Sequence, residues 1–162
     1  MTEPDEYRLL WDIASYLEEA SSLHSAIFDR PWSRDTLRDL LVMPGTDGAV
    51  ILSRAQETTF AGFVMFRCIG DFAEILTLAV ASNHRERGAG RSLMQLALKA
   101  IRETGAEKVI LEVQNGNLPA IRLYESLGMT VFDRRQNYYK AADGSLTDAI
   151  VMQLSITDNR IR

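Results

Sequence analysis

The apolar positions of this chain change period part-way along. Up to residue 80 they come mostly in short blocks bounded by turn residues. The block 59–66, Thr-Phe-Ala-Gly-Phe-Val-Met-Phe, is rich in aromatic and β-branched side chains and predicts a strand. Similar runs predict strands over 49–53 and 71–80, the first following the turn cluster Pro44-Gly45-Thr46-Asp47-Gly48. Ahead of these, the pattern predicts a short strand near 7–13, a helix through 16–27 and a second helix over 33–41 with Ser33 as its N-cap. Beyond residue 90 the spacing becomes helical: Leu93, Leu96, Ala97, Ala100 and Ile101 fall at i, i+3, i+4, i+7 and i+8, and Gly105 is placed to end that helix. Lys108-Val109-Ile110-Leu111-Glu112-Val113 then predicts a central strand. Asn117 caps a short helix carrying Ile121, Leu123, Tyr124 and Leu127, which Gly128 closes. The last two strands are predicted over 136–141 and 149–156. This order predicts an α/β (mixed α+β) fold, a central mixed β-sheet flanked by helices.

Composition narrows the class. No repeat, low-complexity tract or linker interrupts the 162 residues, so 1–162 reads as a single domain. The chain is 46% hydrophobic and 25% charged, as a globular protein is. One cysteine, Cys68, excludes an internal disulfide framework and a cysteine-built zinc site. With two histidines and no clustered ligand pattern, no metal is expected. The net charge of −4 argues against a nucleic-acid partner. No window reaches the ~20 apolar residues of a membrane span. The start, acidic and polar over 1–6, does not resemble a signal peptide, and a cytoplasmic protein without a membrane partner is expected.

Local charge says more than the total. Arg85-Glu86-Arg87-Gly88-Ala89-Gly90-Arg91 lies between a predicted strand and the amphipathic helix. Glycines at a helix start allow a tight turn with exposed N–H groups, and the helix dipole adds positive potential, so the segment can cradle a phosphate or pyrophosphate. It is neither a Rossmann fingerprint, whose third glycine position holds Leu93, nor a P-loop, which needs Gly-Lys-Ser/Thr.

Together with the strand Leu76-Thr77-Leu78-Ala79-Val80 before it, this turn completes the R/Q-x-x-G-x-G/A pattern, and Glu74–Tyr124 resembles the core of the GCN5-related N-acetyltransferase superfamily. The resemblance implies that 85–91 holds the pyrophosphate of acetyl-CoA, that Leu78, Ala79 and Val80 face its pantetheine arm, and that Asn117 hydrogen-bonds that arm. Within the superfamily the chain is most similar to the ribosomal-protein-alanine N-acetyltransferases. That similarity rests on Pro31-Trp32-Ser33, Leu111-Glu112-Val113, the run from Asn117 to Met129, Arg134-Arg135-Gln136-Asn137-Tyr138-Tyr139 and Asp148-Ala149-Ile150-Val151-Met152. It departs from them at Met129, at Gln136 (an apparent extra residue) and at Gln114-Asn115-Gly116.

Acetyl transfer to an amine has two proton problems. An α-amino group with a pKa of ~7.7–8.0 must lose its proton, and a thiolate leaves more readily once protonated. The resemblance gives the first task to Glu112 and the second to Tyr124, with Trp32, Tyr138 and Tyr139 lining the acceptor groove. Each residue also has an ordinary structural use: a strand Glu on a solvated face, a core Tyr at helical spacing, an Asn that only caps a helix. The expected activity is acetyl transfer from acetyl-CoA to a protein N-terminal α-amine, with a small-subunit ribosomal protein as partner. The alternatives are a lysine or small-amine acetyltransferase and a non-catalytic acetyl-CoA sensor. Cys68 reads as a buried small hydrophobe, His24 as surface or half-buried, and His84 as an exposed helix-entry residue.

Overall fold

The computed structural model describes residues 6–55 and 59–156; the acidic start over 1–5 lies outside them. The chain groups into two compact units, Met1–Arg67 with Leu76–Ala100, and Cys68–Ile75 with Ile101–Arg162. Among the described residues, seven strands and four α-helices make the mixed α+β fold. Strand order is β1 (Tyr7–Leu10), β2 (Thr46–Ser53), β3 (Thr59–Ile69), β4 (Phe72–Val80) in the first unit and β4, β5 (Lys108–Gln114), β7 (Leu146–Ser155), β6 (Thr130–Lys140) in the second, with β4 contributing its later residues to the first and its earlier ones to the second.

In the first unit β1 (Tyr7–Leu10), β2 (Thr46–Ser53) and β3 (Thr59–Ile69) are antiparallel neighbours. β1 stops three residues short of the expected end, and a 3-10 turn over Ile13–Tyr16 leads into α1 (Leu17–Ile27). Thr46, Asp47 and Gly48 belong to β2 instead of a turn, because Thr46, Asp47 and Gly48 find ladder partners in Arg67, Phe66 and Met65. α2 (Arg34–Leu41) starts where the sequence indicates: the Ser33 hydroxyl accepts from the Thr36 N–H at 3.1 Å, a cap worth about 1 kcal/mol. Leu17 and Ala20 of α1 and Leu37 of α2 share a core with Val50, Leu52, Phe63, Met65 and Ala79. Burying one side chain the size of Phe63 contributes roughly 2–3 kcal/mol. Leu93, Met94, Ala97, Leu98 and Ile101 form the buried stripe of α3 (Ala89–Glu103), and Gly105 at φ +87° follows its end.

In the second unit β5 (Lys108–Gln114) runs parallel to the start of β4 (Phe72–Val80), from Phe72↔Lys108 to Glu74↔Ile110. It is antiparallel to β7 (Leu146–Ser155) along its full length. α4 (Leu118–Ser126) is capped by Asn117 and followed by Gly128 at φ +92°. β6 (Thr130–Lys140) begins six residues earlier than its sequence suggests. Its first half, Thr-Val-Phe-Asp-Arg-Arg, is exposed at every position, so no alternation of apolar and polar residues marks it as a strand. Cys68 is half-buried and accepts from the Thr104 hydroxyl at 3.8 Å.

Both histidines are more buried than their sequence context suggests. His24 is 3% exposed: its ring stacks on Trp32 with centroids 4.9 Å apart, and its Nδ1 accepts the Trp32 N–H at 3.0 Å. Burial lowers its pKa to about 4, so the ring is neutral and carries its proton on Nε2. Between pH 6.5 and about 4 the unfolded chain therefore binds a proton that the folded chain refuses. Stability from this site is full above pH 6.5 and drains away as the pH falls through that window. Melting temperatures should decline correspondingly, and His24→Asn, which keeps an acceptor but cannot titrate, should show a flatter decline. Parallel slopes in the two proteins would contradict this.

Candidate active site

The turn after β4 is shaped by two left-handed residues. Ala81 N–H donates to the Ala61 carbonyl at 2.8 Å, closing the strand pairing, and a 3-10 turn over Ser82–His84 follows. Glu86 sits at φ +60° and Gly88 at φ +87°. Holding a glutamate there costs about 1 kcal/mol, while Gly88 adopts its conformation freely. The Ser92 N–H bonds the Gly88 carbonyl at 2.9 Å as the first turn of α3 closes. The N–H groups of the preceding helical residues, Ala89, Gly90 and Arg91, therefore lead the helix, where backbone donors have no intrahelical acceptor. Gly90 is helical and needs no positive φ, so its small size matters only for close approach of a ligand.

Neighbouring side chains brace this turn. The Tyr7 hydroxyl meets His84 Nδ1 at 3.1 Å, and the two rings pack edge to face. Burial raises the Tyr7 pKa, Glu6 adding to the effect. Arg87 Nη1 lies 3.5 Å from Glu6 Oε1, and Arg85 Nε donates to the Val80 carbonyl at 3.3 Å. Arg85 and Arg87 remain exposed to solvent. Their charge, the leading N–H groups and the helix dipole make an anion cradle, and a pyrophosphate fits these residues.

Leu78, Ala79 and Val80 end β4. A methyl group added to Gly62 would lie 2.5 Å from the Ala79 carbonyl oxygen and 3.2 Å from the Val80 Cα. Gly62 thus lets β3 approach the end of β4 closely. The sequence gives little sign of this, because a glycine inside an aromatic-rich strand is equally compatible with a bulge.

The second unit holds the acid and the phenols. β5 alternates, with Val109, Leu111 and Val113 buried on one side and Ile110, Glu112 and Gln114 half-buried on the other. Cross-strand partners share a face, so the pairs Glu112↔Val151, Arg135↔Ala149 and Tyr139↔Thr147 put Glu112, Arg135 and Tyr139 on the same side. Arg135 Nη1 lies 2.9 Å from Glu112 Oε1, and its guanidinium carbon sits 5.2 Å from the centre of the Tyr138 ring. Tyr138 and Tyr139 meet edge to face at 5.3 Å. Burial raises the Tyr139 pKa, and Glu112 adds to the rise. Tyr124, buried in α4, is pushed up to about 12, mainly by burial and then by Tyr139. Its phenol is therefore protonated throughout the neutral range. Asn117 Oδ1 accepts the Ala120 N–H at 3.3 Å as the helix cap. Trp32 is half-buried in the first unit, stacked on His24, and its carbonyl accepts from the Ser21 hydroxyl. Sequence reasoning gave Arg135 no role. Its signal was an arginine directly before the Gln-Asn-Tyr-Tyr run, on a strand that the exposed residues concealed. Among the described residues no group of three or more His, Cys, Asp or Glu is gathered that could hold a metal.

The sequence profile of the Acetyltransferase (GNAT) family matches residues 13–129. The chain belongs to the GNAT family. The [ribosomal protein bS18]-alanine N-acetyltransferase of Escherichia coli (strain K12) is 35% identical over 102 residues, 63% of this chain and 68% of its own length. The crystal structure of the ribosomal-protein-S18-alanine N-acetyltransferase from Escherichia coli superposes with a TM-score of 0.82 at 26% identity, covering 96% of this chain and 99% of that one. NAA60 of Arabidopsis thaliana in complex with acetyl-CoA shares the fold, with a TM-score of 0.79 at 21% identity over 93% of this chain and 97% of its own. As a GNAT protein the chain is an N-acetyltransferase. No described helix is long and apolar enough to cross a membrane.

One consequence for this GNAT acetyltransferase concerns Gly62. The two nearest atoms that an added methyl would meet are backbone, which cannot swing aside. Gly62→Ala should lower stability by about 1–3 kcal/mol, read as a reduced denaturant midpoint with an unchanged slope. A midpoint equal to wild type would show that β4 has room to move.

Proposed function

We propose that the chain transfers the acetyl group of acetyl-CoA to the α-amine of a protein N-terminus, that of a small-subunit ribosomal protein in the first instance. The observation that carries the donor half is the Arg85–Gly90 turn, with Gly88 left-handed at the entrance to α3. In this reading the 85–91 segment, Arg91 included, holds the pyrophosphate, while Leu78, Ala79, Val80 and Asn117 border the arm. The acceptor half is supported by the Escherichia coli relative, which is named for the alanine of ribosomal protein bS18. A cytoplasmic setting belongs to the same proposal.

Bound acetyl-CoA supplies an activated thioester carbonyl. The chain's own residues manage the protons. The Glu112 ion pair is made through Oε1, and Oε2 is the oxygen that takes the proton of the incoming ammonium, directly or through a water. Tyr124 keeps its phenolic proton at working pH and donates it towards the departing sulfur. Tyr138 and Tyr139, beside Glu112, are aromatic walls for the acceptor, and the resemblance gives Trp32 an acceptor-side role of its own. Attack is direct, within a ternary complex, since among the described residues the one cysteine, Cys68, meets the Thr104 hydroxyl and no base that would activate it to carry the acetyl group.

Three measurements test this reading. Mass spectrometry of peptides incubated with acetyl-CoA should place the new acetyl on the α-amine; modification of internal lysines at a comparable rate would favour the lysine reading, and no transfer would favour the sensor. Glu112→Gln should lower turnover by about 10²–10⁴-fold and flatten its rise with pH, and Tyr124→Phe should lower turnover with acetyl-CoA still bound. Near-normal turnover in folded Glu112→Gln would return Glu112 to a solvated strand face, and the same result in Tyr124→Phe would make Tyr124 a packing residue. Forcing valine into the left-handed Gly88 position costs at least about 1–2 kcal/mol, so calorimetry on Gly88→Val should show acetyl-CoA bound about tenfold or more weakly. An unchanged dissociation constant would remove the cradle.

A further inference from the structure

Between Arg135 and Tyr139 the β6–β7 ladder loses its regular count. Arg135 pairs with Ala149 and Tyr139 with Thr147, so Gln136, Asn137 and Tyr138 stand opposite the single residue Asp148. Two extra residues are accommodated. The number matters, because side chains alternate across a strand. One extra residue would turn Tyr139 to the other face, whereas two return it to the face of Glu112 and Arg135.

Such a bulge leaves backbone groups without ladder partners. Asp148 supplies one. Its Oδ1 accepts the Asn137 N–H at 3.0 Å, with Asn137 at φ +53°, and its Oδ2 meets Arg134 Nη1 at 3.5 Å. The Asp148 carbonyl in turn accepts the Asn115 N–H at 2.9 Å, tying the residue to the end of β5. By register Asp148 shares a face with Ile150 and Arg134, the side away from Glu112. Arg135, on one flank of the bulge, reaches the opposite face and clamps Glu112, and the ring of Tyr138, within the bulge, lies against the Arg135 guanidinium.

We propose that Asp148 is a positioning residue for acceptor binding, pinning the 136–138 bulge from the rear of the sheet so that Arg135, Tyr138 and Tyr139 stand beside Glu112. This rests on the reading of Glu112 as base and of the two tyrosines as groove walls. The pin needs an acceptor oxygen at one place, and the negative charge is secondary. Asn supplies that oxygen without charge; Glu keeps the charge and moves the oxygen by a methylene.

The test is steady-state kinetics on Asp148→Ala, Asp148→Asn and Asp148→Glu, varying the acceptor peptide and acetyl-CoA separately. Asp148→Ala and Asp148→Glu should raise the peptide KM about tenfold, the equivalent of one lost hydrogen bond to a charged group. The acetyl-CoA dissociation constant should stay within twofold of wild type, and Asp148→Asn should recover peptide KM to within about threefold. Peptide KM unchanged in Asp148→Glu, or raised equally in Asp148→Asn, overturns the proposal; these two variants decide it even if Asp148→Ala does not fold. If wild-type protein leaves peptides unmodified, it is the function reading that fails. Hydrogen exchange at the Asn137 amide then decides the positioning role: protected in wild type and Asp148→Asn and released in Asp148→Glu if Asp148 is the pin, alike in all three if it is not.

Discussion

A carboxylate placed on a strand whose alternate residues are buried has to find a cation, since an ionised group taken partly out of water and left unpaired is costly. Glu112 is in that position. Strand alternation takes it off the apolar side occupied by Leu111 and Val113, and β7 spaces the strands so that an arginine from β6 can reach it. The surrounding arrangement follows from this pairing. The guanidinium must come from a residue on the matching face, β6 must run at the right register, and the tyrosines that follow Arg135 are carried along with it.

The donor half depends on a different constraint, backbone shape. Gly88 and Glu86 both occupy the left-handed region, and that geometry turns the chain sharply from the end of β4 into the first residues of α3, whose leading N–H groups have no acceptor within the helix. The ties from Tyr7 to His84 and from Glu6 to Arg87 hold the turn from the side of β1, an edge strand paired with β2 along its whole length.

Much of this was legible from residue order alone. The Ser33 and Asn117 caps, the closing glycines at 105 and 128, the helical stripe from Leu93 to Ile101 and the strand around Glu112 are local signals, and the fold follows them. Two kinds of feature were hidden. Burial of His24 and His84 depends on residues eight and seventy-seven positions away, Trp32 and Tyr7, which no local pattern reveals. The first half of β6 was hidden because a strand exposed on both faces lacks the period that identifies strands. Gln136 looked like an insertion within a familiar run, but the structural unit is a pair of extra residues, and that count is visible only against the partner strand. The residues assigned to catalysis came from family resemblance; alternation and helix spacing by themselves were equally compatible with packing.

β6 is the last strand of the second unit, eleven residues long, with Val131, Phe132 and Tyr138 exposed. A straight, apolar strand in that position would be a template on which another chain could continue the sheet. β6 is not straight. Its register slips at Phe132 and again across 136–138, so its outward row of N–H and C=O groups is interrupted twice, and Asp133, Arg134 and Arg135 lie between the interruptions. The irregularity that returns Tyr139 to the face of Glu112 also keeps the sheet from growing: a chain arriving at this edge can touch its side chains without being zipped in as an additional strand.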